Sequence, residues 1–168
     1  MALEHLWAGW RGEYVATADD ANQDGDACVF CRILDSGLPD EETFILWRGE
    51  RTFAILNAFP YTSGHLMVLP LRHVGDLSEL EDEEADELFR TCRVGVRALQ
   101  SCYSPGGINL GANLGRAGGA GIPGHLHLHA VPRWNGDTNF MTSVFDTRVL
   151  PEALGTTWKK LKESWPDA

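Results

Sequence analysis

The sequence predicts one α+β domain, and three observations point to it. Short β-rich runs bounded by Gly, Pro and Ser occur at 44–47, 53–56, 66–69 and 108–112. A long stretch between the third and fourth has helical periodicity, and a fifth run, His125-Leu126-His127-Leu128-His129, alternates with the period of a strand. Strands, one long helix and then strands again, without an internal repeat, is an α+β order and not alternating βαβ units.

Taken along the chain, an arm at 1–16 comes first, with Trp7, Trp10 and Tyr14 spaced three and four apart as on a helix face that packs on the domain or on a second subunit. An acidic, aperiodic loop follows at 17–27, then a core over 28–141 and a C-terminal segment over 142–168, all one domain. In the helical stretch Ala85, Leu88, Phe89, Cys92, Val96 and Leu99 form one apolar face, which assigns Cys92 to the core. The acidic run 79–87 is expected to face water at a helix N-terminus, where it complements the helix dipole. A short C-terminal helix is predicted over 156–165.

Charge excludes several functions. Lys and Arg number 14 against 24 for Asp and Glu, a formal charge of −10, so no basic footprint exists for duplex DNA or RNA. An anionic substrate would need cations and amides focused at the site, and His, Arg and Gly do cluster late in the chain. No run reaches the roughly 18 apolar residues of a membrane span, and the start does not resemble a signal peptide, so a cytoplasmic location is expected with neither membrane nor nucleic acid as partner. In a reducing compartment the pair Cys28 and Cys31 suggests metal or redox chemistry, with two core thiols as the alternative, whereas Cys102 looks incidental.

The histidine run is the most informative feature. On a strand His125, His127 and His129 project to one face while Leu126, Leu128 and Ala130 face the core. A packed strand gains little from three adjacent titratable rings, which favours metal ligation or nucleophilic and acid–base chemistry. The ends of the row are about 13 Å apart at the strand rise, so one ion cannot take all three undistorted, though neighbours could share one. Just upstream, the Gly- and Ala-rich loop 115–124 can bring backbone amides to phosphate oxygens, with Arg116 and Arg133 as candidate screening cations.

These motifs resemble those of the histidine-triad (HIT) superfamily. The resemblance rests on His125-Leu126-His127-Leu128-His129-Ala130-Val131, and extends through Cys28–Ile33, Leu56-Asn57-Ala58-Phe59-Pro60, Gly64–Pro70, His73, Asn109, Asn113, Gly115 and Pro132-Arg133-Trp134. The arm Leu6–Tyr14 is similar to that of the bacterial diadenosine tetraphosphate phosphorylase and hydrolase branch, with Gly9 where those proteins tend to carry Pro.

The resemblance implies a HIT-like fold, with a five-stranded antiparallel sheet, one long helix and usually a homodimer, and an enzyme acting on purine nucleotides or dinucleoside polyphosphates. It implies His127 as nucleophile forming a nucleotidyl-histidine, His129 on the phosphate or leaving oxygen, and His65 supporting the triad from the neighbouring strand. Asn57 matches the ribose position, Phe30, Ile33 and Leu56 the base walls, and Asn113 a polar position near the phosphates. Cys28, Cys31, His73 and His125 resemble the four ligands of a structural zinc, a closed site with no position for activating water.

One departure affects the substrate. Many members carry Gln four residues and Ser or Thr three residues before the first triad histidine, where this chain has Gly121 and Ile122. Backbone amides of the loop, Gly121 among them, would then replace side-chain contacts to phosphate. Phosphate is favoured over water as acceptor; a phosphoramidate hydrolase, a metal-dependent phosphoesterase with an ion on His125 and His127, and a non-catalytic nucleotide-binding module are the alternatives.

Overall fold

A computed structural model describes residues 28–137 and 152–166; the N-terminal arm and the acidic loop 17–27 lie outside them. The elements in chain order are α1 (Val29–Asp35), α2 (Asp40–Thr43), β1 (Ile45–Arg48), β2 (Thr52–Leu56), β3 (Leu66–Pro70), a 3-10 turn (Leu77–Glu79), α3 (Asp82–Tyr103), β4 (Gly107–Ala112), β5 (Leu128–Arg133) and α4 (Leu154–Ser164). The five strands form one antiparallel sheet in the order β1-β2-β3-β5-β4. The α+β expectation holds, and every predicted strand lies within a residue or two of its run. The exception is β5, which starts at Leu128, so His125 and His127 sit in the extended approach to it.

Alternation along β2 and β3 divides the core between the two faces of the sheet. Ala54, Leu56, Leu66 and Val68 meet Leu88, Cys92, Ala98 and Leu99 of α3 and Leu161 of α4. Phe53, Ile55, Met67 and Leu69 meet Cys28, which caps α1, and Phe30 of α1 on the opposite face. The histidines share this second face: His129 pairs in register with Met67.

The long helix begins with a capping box, in which Glu81 and Glu84 satisfy each other's backbone N–H groups, and ends at Ser104 in the left-handed conformation before Pro105. Its buried face is rotated from the predicted one: Glu84, Leu88, Thr91, Cys92, Gly95, Ala98 and Leu99 point inward, while Phe89 is 65% exposed. Three of the inward residues are not apolar, and each has a reason. Glu84 accepts two hydrogen bonds from the Arg72 guanidinium, at 3.0 and 2.6 Å. Thr91 lies 3.2 Å from the Thr52 hydroxyl. A Cβ on Gly95 would sit 3.2 Å from the Leu66 side chain, a tight contact that glycine avoids where helix and sheet approach closely.

The expectation that the acidic run only faces water is therefore corrected at two positions. Glu84 is buried on Arg72, and Glu87 Oε1 accepts from the Arg51 N–H, the Thr52 N–H and the Thr52 hydroxyl, clamping the turn between β1 and β2. The C-terminal helix is present and docks on β1, where Trp158 Nε1–H donates to Ile45 O and Lys162 to Leu46 O, both at 2.9 Å.

Candidate active site and metal cluster

Three loops and one strand start converge on the second face of the sheet. The approach to β5 is held by Leu126 N–H donating to Val74 O at 2.7 Å, which fixes the backbone between His125 and His127. Leu126 then points into the helix-side core, 2% exposed, and the flanking histidines are driven to the other side. His125 is fully buried, His127 is 6% exposed and His129 is half-buried.

The histidines divide into a catalytic-looking set and a ligand-looking one. His127 Nδ1 lies 2.8 Å from the His125 carbonyl. A carbonyl only accepts, so Nδ1 carries the proton and Nε2 keeps its lone pair. Burial lowers the His127 pKa, which keeps the ring neutral near pH 7. His129 stands beside it with ring centroids 4.9 Å apart. His65, 1% exposed, approaches from the start of β3, and its Nε2 is 2.9 Å from His129 Nδ1.

His125 turns the other way. Its Nε2–H donates to Pro70 O at 2.9 Å, which leaves the Nδ1 lone pair facing Cys28 Sγ at 3.4 Å and Cys31 Sγ at 3.6 Å. His73 Nδ1 lies 3.4 Å from Cys31 Sγ, and the four ligand atoms are all within 4.8 Å of one another. A tetrahedral zinc with usual Zn–S and Zn–N lengths separates a sulfur from a nitrogen by about 3.6 Å, so the cluster fits such an ion. The Pro70 carbonyl supplies the outer hydrogen bond that orients a ligating imidazole. Burial, then the adjacent Cys28, push the Cys31 thiol up to about 11; a bound cation favours the thiolate instead.

The other expected site residues are placed unevenly. Phe30 stands edge-on to His125 and tilted to His127, at 5.4 and 5.6 Å between centroids, and Ile33 packs in the same cluster. Leu56 does not join them: strand alternation puts it in the helix-side core, and Ile55 takes the histidine side. Asn57 is committed in part, its Oδ1 accepting from Phe59 N–H at 2.9 Å and its Nδ2 lying 3.4 Å from His65 Nδ1. Asn113 braces the glycine loop by donating to Gly119 O at 3.3 Å, and Gly121 is half-buried four residues before His125. A Cβ on Gly118 would meet the Leu114 carbonyl at 2.2 Å, so the tightness of this loop depends on that glycine. Arg133 is not free to screen phosphate, since Asp137 and Asn109 hold its guanidinium.

Sequence reasoning missed Tyr61, whose ring lies 4.7 Å from that of His65 and 6.3 Å from that of His129. An aromatic residue four positions before His65 was the available sign.

The HIT domain model matches residues 39–136, more than half of the chain. The protein is a member of the HIT family. It is 38% identical over 167 residues to a Mycobacterium tuberculosis protein named AP-4-A phosphorylase, covering 97% of this chain and 85% of the relative. Among solved structures, a Zn-bound histidine triad family protein from Mycobacterium smegmatis superposes with a TM-score of 0.68 at 28% identity, over 84% of this chain and 95% of that one. A hypothetical histidine triad nucleotide-binding protein from Sulfolobus tokodaii gives a TM-score of 0.67 at 27% identity, over 82% and 91%. This HIT chain thus has the family's sheet, long helix and C-terminal helix. Among the described residues no helix is long and apolar enough to cross a membrane.

Proposed function

We propose that this chain transfers a nucleotidyl group from a dinucleoside polyphosphate, of the diadenosine tetraphosphate type, through a nucleotidyl-histidine on His127, to inorganic phosphate. The observation that carries the reading is the His127 hydrogen bond to its own strand: Nδ1–H is held by the His125 carbonyl at 2.8 Å, and Nε2 is left as a neutral, oriented nucleophile. Two displacements through a covalent intermediate replace one harder step. The likeness to the mycobacterial AP-4-A phosphorylase supports the donor and the acceptor.

In this reading Phe30 and Ile33 form the apolar wall for the base, Asn57 meets the ribose, and Asn113, Gly121 and His129 meet the phosphates. Cys28, Cys31, His73 and His125 hold one structural zinc. The donor set supports this, as does a zinc-bound structural relative. All four positions are filled by protein, so the ion's chemistry is to fix α1 against the approach to β5, and the substrate is bound and turned over by the chain's own side chains.

The reading includes a homodimer. Strand β4 ends the sheet and is mostly exposed, and its exposed Leu110 lines one groove with Ile108 and with Val96 and Gln100 of α3. An unpaired edge beside an apolar patch favours a second copy, which continues the sheet and covers the patch.

Product analysis tests the function. Diadenosine tetraphosphate with phosphate is expected to give ADP and ATP; phosphate-independent release of AMP and ATP as the only route would replace the phosphorylase with a hydrolase.

A further inference from the structure

Cys28 and Cys31 form a close dithiol on the histidine side of the sheet. Their Sγ atoms lie within 4.8 Å of each other, and neither is in a disulfide. Cys28 caps α1 and Cys31 is its third residue, and the Arg32 N–H donates to Cys28 O at 3.0 Å, closing the first helical turn across the pair. Helix geometry sets α-carbons three residues apart at about 5 Å, within the roughly 4.4–6.8 Å that a disulfide spans. The two sulfurs can therefore join without movement of the backbone. Cys92 and Cys102 lie across the sheet, packed in the helix-side cluster, so the pair has no competing thiol beside it. Exposure separates its two members: Cys28 is fully buried, whereas Cys31 is open in part to solvent.

We infer that Cys28 and Cys31 are a modification site for hydrogen peroxide, Cys31 reacting first and the buried Cys28 resolving it, and that the resulting disulfide weakens nucleotide binding by releasing Phe30. The inference rests on the zinc and nucleotide-site readings of the proposed function. Among the described residues, the polar contacts that tie α1 and its cap to other elements through side chains are those of Cys28 and Cys31 with His73 and His125; the rest of the hold is apolar. In a disulfide neither sulfur is a thiolate donor, so the ligand set falls from four to two imidazoles, too few for a closed tetrahedral site. Phe30 lies between the two cysteines in sequence, with its ring 5.6 Å from that of His127, and it loses the tie that holds its helix against His125.

The electrons balance with a single hydrogen peroxide for each disulfide. The Cys31 thiolate attacks a peroxide oxygen, the O–O bond breaks and hydroxide leaves, giving a sulfenic acid on Cys31. The Cys28 thiolate then attacks that sulfur, the S–O bond breaks, and a second hydroxide leaves as the disulfide forms. The thiolates lose two electrons, the peroxide gains them, and solvent protonates both hydroxides to water. With Cys28 this close, the sulfenic acid is captured before it reaches the irreversible sulfinic state. An excess of a small-molecule thiol reverses the change by exchange and returns both sulfurs to the ligand set.

The full-length protein, loaded with zinc and freed of excess metal, is treated with hydrogen peroxide to test this. Zinc release is followed with a chromogenic chelator, disulfides are mapped by alkylation and peptide mass spectrometry, and AMP binding is measured by calorimetry before and after. A Cys28–Cys31 disulfide is expected to form in step with loss of the zinc. AMP affinity is expected to fall by at least about tenfold, and a thiol with added zinc to restore it. Zinc retained with both cysteines reduced under a large peroxide excess would overturn the inference alone. So would oxidation confined to Cys92 or Cys102, a complete Cys28–Cys31 disulfide with AMP affinity unchanged, or a loss that thiol and zinc do not restore. A protein that takes up no zinc would overturn the zinc reading, and an untreated protein that binds no AMP would overturn the nucleotide-site reading, each taking the inference with it.

Discussion

The ring of Phe30 lies 5.6 Å from that of His127 and 5.4 Å from that of His125, so one side chain of α1 touches both the proposed nucleophile and a member of the Cys–His cluster. Cys28 and Cys31 bracket Phe30 in sequence, and the same short helix thereby supplies half the ligands and the wall of the site. In the proposed function, metal binding and the shape of the nucleotide site are coupled through it.

Removing the metal should therefore lower both stability and nucleotide binding. Elemental analysis is expected to find about one zinc per chain. Cys28→Ser, or a chelator, should destabilise the fold; a loss of about 2 kcal/mol lowers Tm by roughly 4–8 °C in a chain of this length. A metal-free protein with unchanged Tm would contradict the site.

The edge of β4 predicts the oligomer. Leu110→Asp puts a carboxylate on the edge strand and should convert the proposed homodimer to monomer, read by sedimentation. A wild-type monomer at micromolar concentration would contradict the proposed assembly.

The Arg72–Glu84 pair predicts an acid limb in stability. The hydrogen bond from Arg72 holds the buried Glu84 carboxyl below its ordinary value. A depressed carboxyl stabilises the fold fully above the unfolded pKa near 4.5, and that contribution is lost as pH falls through the folded value. Arg72→Met should reduce Cm in urea at pH 7 and flatten its fall between pH 5 and 3, whereas an identical pH profile would leave the pair without this role.

The sequence was most legible where a local period carries the information. The alternation of His125, Leu126, His127, Leu128 and His129 gave the face of each ring, and the runs around Phe53 and Leu66 gave their strands. The helix face was misread because Phe89 and Val96 are apolar yet lie outward or half-exposed, while Glu84 and Thr91 are buried by partners, Arg72 and Thr52, far away in sequence. Leu56 was misassigned because which face of β2 meets the histidines depends on register with β3. The spacing of Cys28 and Cys31 suggested metal or redox chemistry, and His73 and His125 joined them as candidate ligands only from family likeness; the four ligand atoms do lie within 4.8 Å of one another. The groups that fix each tautomer, the His125 and Pro70 carbonyls and the Tyr61 N–H, are backbone atoms, and backbone atoms leave no mark in a sequence.

The central claim is that His127 becomes covalently nucleotidylated. Mixing the protein with diadenosine tetraphosphate, quenching under mildly alkaline conditions that preserve a phosphorus–nitrogen bond, and mapping peptides by mass spectrometry tests it most directly. The account predicts an adenylyl group on His127. His127→Ala should carry no label, should still bind nucleotide, and should lose turnover by roughly 10³-fold or more. Full activity in His127→Ala, or an adenylyl group carried by another residue of the active protein, would contradict the account.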